Sequence, residues 1–141
     1  MLVFVYGTLT EPERVATVLG CDPADAADVF VARATLEGLH RVEGRYPTLA
    51  PGGSVDGRLL AVDAAELDRL DDYEGVDDGL YVRVTIPVVS GAPDVADRRC
   101  LTYVGDPDRL GADANWPAGE SFRDCVREVV ARAEVVVRCH E

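Results

Sequence analysis

Alternating β-branched and aromatic positions over residues 2–6 (Leu2, Val3, Phe4, Val5, Tyr6) predict a first, central strand that stops at Gly7. Thr10 and Glu13 have capping-box spacing and Pro12 falls just inside the start, predicting a short helix over about 11–19 that ends at Gly20. A Pro- and Asp-rich connection at 21–28 leads into one long or bulged strand over 29–39. Residues 46–53, with Pro47, Pro51 and the pair Gly52-Gly53, read as a loop closed to regular structure, and the chain returns as strand over 57–62. Asp63 and Glu66 repeat the capping-box pattern, with Asp in place of Ser or Thr, and open a helix carrying Leu67 and Leu70. Strands over 80–89 and 98–104 are expected to pair as a hairpin across 90–97. Residues 111–119 read as irregular chain, and a helix over about 119–133 follows.

Some six strands and three helices that do not strictly alternate favour an α+β architecture with a curled sheet over a doubly wound one. At 100° per residue Glu74 falls between Leu67 and Leu70 on the wheel of the second long helix, an odd place for a carboxylate. Asp71 borders the same face, whereas Asp68 and Asp72 point away. At the other end of the chain, the corner Gly7-Thr8-Leu9 between strand and helix offers backbone N–H groups and a positive helix end, which suits an anionic oxygen. Donors on one side and a carboxylate base on the other describe a small pocket.

Composition changes this picture in three respects. With 141 residues and 48% hydrophobic content, one globular domain over 1–141 is expected. The 26 acidic residues face 14 basic ones, all Arg, and a net charge of −12 argues against nucleic acid and anionic lipid as partners. Such a surface is either the by-product of a GC-biased composition or an adaptation to high internal salt, because at ~1 M the screening length is about 3 Å and like charges repel little. Cys21, Cys100, Cys125 and Cys139 are widely spaced without a Cys-x-x-Cys pair, so they read as small buried hydrophobes and not as a disulfide framework or zinc site. His40 and His140 receive no role, and no metal or cofactor is called for. No apolar run reaches the roughly 18 residues of a membrane span, and the N-terminus lacks a basic region and a cleavage site. A cytoplasmic protein is expected.

One ordered set of motifs goes further. Val3-Phe4-Val5-Tyr6-Gly7-Thr8-Leu9, Tyr46-Pro47, the run from Val55 to Val62, and Leu70-Asp71-Asp72-Tyr73-Glu74-Gly75 followed by Tyr81-Val82-Arg83 closely resemble the γ-glutamylcyclotransferase-like family. That family includes γ-glutamylamine cyclotransferases and plant AIG2-like proteins, and the resemblance covers residues 1–104. It implies a small mixed β-barrel with flanking helices and a cavity at one side, a small-molecule γ-glutamyl substrate, and release of 5-oxoproline without a cofactor. In that chemistry the substrate's own α-amine attacks its γ-carbonyl, so positioning supplies much of the rate, with effective molarities of ~10⁵–10⁸ M available. The resemblance assigns Glu74 as the catalytic general acid/base and the Tyr6-Gly7-Thr8-Leu9 segment as the substrate-binding loop, its amides stabilising an oxyanion.

Each assignment has a structural alternative. Glu74 could be a helix-end carboxylate paired with Arg83, and Tyr6 and Thr8 ordinary core and cap. Tyr81 and Arg83 are either pocket wall or sheet packing, and Tyr46 and Tyr103 are candidates to reach the cavity. A non-catalytic module binding a small acidic metabolite on the same fold competes with the enzyme, and a ligand-free scaffold would show a filled cavity.

Overall fold

A computed structural model describes residues 1–89, 98–114, 116 and 121–140. Its six described strands are β1 (Leu2–Val5), β2 (Phe30–Val42), β3 (Thr48–Ala61), β4 (Tyr81–Val89), β5 (Arg98–Gly105) and β6 (Val136–His140). They close into a barrel in the order β1-β3-β2-β6-β4-β5. The β1/β5 and β4/β6 pairs are parallel and the other four antiparallel. This is the mixed barrel expected from the sequence. The helices are α1 (Pro12–Leu19), α2 (Pro23–Ala27), α3 (Ala64–Glu74), α4 (Pro107–Leu110) and α5 (Phe122–Arg132).

The continuous apolar character of β1 follows from its two burdens. Successive side chains point to opposite faces of a strand, and here both faces are covered. Phe4 joins a core cluster drawn from all six strands that fills the barrel, to which α5 adds Val126 and Val130. Val3 and Val5 join a second cluster outside it, with Val15 and Leu19 of α1 and Leu67 and Leu70 of α3. In β3, Leu59 and Leu60 divide the same way. Gly57 is required by this packing, since a Cβ there would sit 2.2 Å from the Val5 carbonyl oxygen and 2.7 Å from the Phe4 ring.

Several expectations are corrected. The loop read over 46–53 is strand from Thr48 onward, and β3 runs through Pro51, Gly52 and Gly53. Pairing shifts register between Glu37 and Leu39, and Gly38, Gly52 and Gly53 take φ values of 104°, 100° and 72° around this bulge. Glycines absorb the left-handed backbone, and Pro at a bulge deprives the ladder of little. β2 extends to Val42, beyond the expected 39. The Thr10/Glu13 capping box does not form. The Thr10 hydroxyl instead donates to the Gly7 carbonyl at 2.7 Å, closing a 3₁₀ turn over Thr8–Thr10, and Glu11 precedes α1 without a side-chain cap. Pro12 and Gly20 (φ 70°) bound α1 as expected. Short helix α2 lies within the stretch read as a connection, α4 lies in a stretch to which no element was assigned, and β6 was not foreseen. The expected 90–97 connection, most of 115–120 and the start of the last predicted helix lie outside the described residues. Cys100 and Cys125 are buried and Cys139 half-buried, but Cys21, just past the Gly20 cap, is exposed. Among the described residues no helix is long and apolar enough to cross a membrane.

Candidate active site

The carboxylate of the site is placed by helix α3. Its start is fixed by a reciprocal capping box: the Glu66 N–H donates to Asp63 Oδ1 at 2.8 Å and the Asp63 N–H to Glu66 Oε1 at 3.0 Å. Leu67 and Leu70 press its inner face onto the cluster behind β1, and Gly75 (φ 66°) ends it. Glu74 is therefore the last helical residue, on the same side as the two leucines, half-buried at the barrel rim.

It opens into a cavity of about 210 Å³. Tyr6, Gly7 and Leu9 form one side of that cavity, and Tyr81, Tyr103 and Pro47 another. Tyr46 and Tyr73, 54% and 40% exposed, border it and have one edge in solvent. The volume lies below the roughly 300–1,000 Å³ of drug-sized sites, so the space suits a small metabolite.

The tyrosine hydroxyls are committed as donors. Tyr6 Oη donates to the Tyr103 carbonyl at 2.5 Å, Tyr81 Oη to the Pro47 carbonyl at 2.7 Å, and Tyr103 Oη to Asp71 Oδ1 at 2.7 Å. A hydroxyl that has given its proton to the protein keeps lone pairs for a ligand, so this wall offers acceptors. Thr48, fully buried, holds its lower edge by accepting from the Gly105 N–H at 2.7 Å and donating to the Gly105 carbonyl at 3.1 Å.

Burial pushes the Glu74 carboxyl up to about 7, because desolvation disfavours the charged form. Burial also raises Tyr6, Tyr81 and Tyr103 well above the ordinary phenol range, and the Glu74 charge contributes to each. The three phenols thus stay protonated near neutrality, and Glu74 is the lining group whose charge changes there. Among the described residues no ion pair engages it. Arg83 donates instead to Asp71 Oδ2 at 2.5 Å, which overturns the alternative in which Arg83 neutralises Glu74.

Of the residues singled out from sequence, Glu74, Tyr6, Gly7, Leu9, Tyr46, Tyr81 and Tyr103 line one cavity. Thr8 lies between two of them in the chain and opens the 3₁₀ turn. Arg83 does not line this cavity, because its guanidinium is drawn to Asp71 on the outer face of β4. Gly7 needs no unusual φ, and a Cβ there would meet Pro47 at 3.6 Å, so glycine keeps the wall thin. Sequence reasoning missed Pro47, Tyr73 and Leu80 as lining and Asp71 as the anchor of Tyr103. Asp71 had a signal, standing one turn before Glu74 on the same face.

The fold that carries this cavity is shared with known proteins. Residues 3–123 match the family described as "Gamma-glutamyl cyclotransferase, AIG2-like". AIG2-like protein C of Arabidopsis thaliana is 37% identical over 120 residues, 77% of this chain, and the match spans 63% of that relative's length. A solved structure titled "Gamma-glutamyl cyclotransferase" superposes with a TM-score of 0.57 at 17% identity, covering 95% of this chain and 98% of that one. YkqA of Bacillus subtilis gives 0.58 at 19% identity over 94% of this chain and 48% of that protein. At those identities the structures speak for the fold, while the sequence match, extending over most of the chain, makes it a member of the gamma-glutamyl cyclotransferase, AIG2-like family.

Proposed function

We propose that the protein releases 5-oxoproline from a γ-glutamyl amine or peptide by intramolecular aminolysis, with Glu74 as general acid/base. The observation that carries this reading is a half-buried carboxylate, pushed up to about 7, in one small cavity with Gly7 and Leu9. Glu74 takes a proton from the α-ammonium of the substrate, and the freed amine attacks the γ-carbonyl carbon. A C–N bond forms to close the five-membered ring, Glu74 returns the proton to the leaving nitrogen as its bond to carbon breaks, and the second proton, still on the new ring nitrogen, passes through Glu74 to the departing amine, which leaves as an ammonium. No water is consumed and no electrons change hands.

The remaining cavity groups have matching work. Gly7 and Leu9 line the cavity at the strand-to-helix corner, where backbone N–H groups suit a carboxylate or a developing oxyanion. The phenol oxygens of Tyr6, Tyr81 and Tyr103 suit an ammonium. Tyr46 and Tyr73 flank the exit of the leaving amine.

The test is incubation with a panel of γ-glutamyl amines and dipeptides, in dilute buffer and in molar salt, with chromatographic detection of 5-oxoproline. Product is expected from at least one compound, and Glu74→Gln should lower kcat by 10²–10⁴-fold. Undiminished turnover by that variant would remove Glu74 from the mechanism. Saturable binding without product would assign the cavity to metabolite binding.

A further inference from the structure

Strand β1 leaves its partner β3 after Val5, so the next carbonyl, that of Tyr6, lies beyond the sheet ladder. A buried carbonyl at such a point needs a donor from elsewhere. Here the donor is Arg41, 35 positions away near the end of β2, whose Nη1 lies 3.0 Å from the Tyr6 oxygen. Its Nε donates to Glu43 Oε1 at 2.8 Å, which orients the guanidinium from the solvent side.

The peptide unit whose carbonyl Arg41 holds is the unit whose other end is the Gly7 N–H. No cis peptide occurs among the described residues. In a trans unit the C=O and N–H point in opposite directions. Fixing the carbonyl against Arg41 therefore fixes the N–H away from it, at a residue that lines the cavity. A cation on the oxygen also draws electron density through the amide and strengthens the N–H as a donor. One side chain that need not enter the cavity thereby sets both the direction and the strength of a donor inside it.

We propose that Arg41 is a positioning residue for substrate: through the Tyr6–Gly7 peptide it aims and polarises the Gly7 N–H at the α-carboxylate of a γ-glutamyl compound. This rests on the reading of the cavity as a γ-glutamyl site. It also supplies the positive charge that an anionic substrate needs in a chain of net charge −12. The carboxylate meets that charge through a backbone dipole and not directly.

Steady-state kinetics of the wild type, Arg41→Ala and Arg41→Lys test it on two substrates, a γ-glutamyl compound turned over by the wild type and the same compound with its α-carboxylate converted to a carboxamide. For the carboxylate substrate Arg41→Ala should raise KM about tenfold with kcat within about twofold, the loss of one charge-assisted hydrogen bond. Arg41→Lys keeps the charge without the planar fork and should fall between them. On the carboxamide the difference between wild type and variants should shrink to about twofold. An unchanged KM, an equal rise on both substrates, or a fall in kcat at constant KM overturns the assignment. The equal rise would mean that Arg41 only supports the fold. Should Arg41→Ala not fold, Arg41→Lys decides by the same comparison. Failure of the wild type to form 5-oxoproline, or full activity of Glu74→Gln, rejects the γ-glutamyl reading itself and this assignment with it.

Discussion

Glu74 titrates in opposite directions for rate and for stability. As the base it must be ionised, so log kcat/KM should climb with unit slope below about pH 7 and level off above it. A profile flat from about pH 5 to 8 would show that this carboxylate does not limit turnover. For folding, its native pKa lies above the unfolded value, so the native state holds a proton that the unfolded chain releases. Stability contributed by that proton is complete below about pH 4.5 and is lost as pH rises to about 7. The penalty above that window is on the order of 3 kcal/mol. Glu74→Gln should therefore unfold at higher urea than the wild type near pH 8 and at the same concentration near pH 4. A variant no more stable at the higher pH would mean that Glu74 is solvated. Glu74 was visible in the sequence because a carboxylate on a leucine face conflicts with burial, and such conflicts mark chemistry. Arg41 was not visible, since it acts on a carbonyl 35 positions away, and of Asp71 only its place beside the Glu74 face was legible, not its bond to a phenol 32 positions away. No local pattern records contacts of that range.

Helix α3 is the element on which the carboxylate depends, and its start was legible in the Asp63/Glu66 box, while its end at Gly75 is a left-handed cap seen in the structure. Asp63→Ala should cost about 1 kcal/mol by removing the acceptor for the Glu66 N–H, seen as a lower urea midpoint with an unchanged slope. Gly57→Ala should cost more, about 1–3 kcal/mol, because the new methyl meets a backbone oxygen and an interior ring that cannot both retreat. Equal stability in that variant would mean that β1 and β3 separate more freely than their pairing implies. Around the same hairpin the sequence misled. Pro51 and Gly52-Gly53 are ordinary loop signals, yet tertiary pairing with β2 carries them into a strand by way of a bulge. Likewise Thr10 and Glu13 have the right spacing for a cap, but the Gly7 carbonyl, brought near by a 3₁₀ turn, takes the hydroxyl first.

For the molecule as a whole, apolar alternation and the loose order of strands and helices sufficed to indicate an α+β domain with a curled sheet, while the barrel was implied only by the family resemblance of the motifs over 1–104. Closure did not follow from the residue pattern itself, because β6 comes after a helix by way of Glu134, a residue of positive φ, and its five residues carry no turn signal of their own. The acid excess remains a reading of composition, and we propose that it reflects a salty interior. Melting temperature should then rise between dilute buffer and molar sodium chloride, since repulsion among 26 carboxylates is screened there. An unchanged melting temperature would leave only the compositional explanation.

The position of β6 in the barrel has a consequence for biosynthesis. Of the six described strands, the last to leave the ribosome is the one inserted between β2 and β4. Until it emerges, both neighbours carry unsatisfied rims on which another nascent chain can template. Ending translation after residue 135 should thus give inclusion bodies in place of a weakened enzyme, and supplying residues 136–140 as a separate peptide during refolding should recover dispersed material.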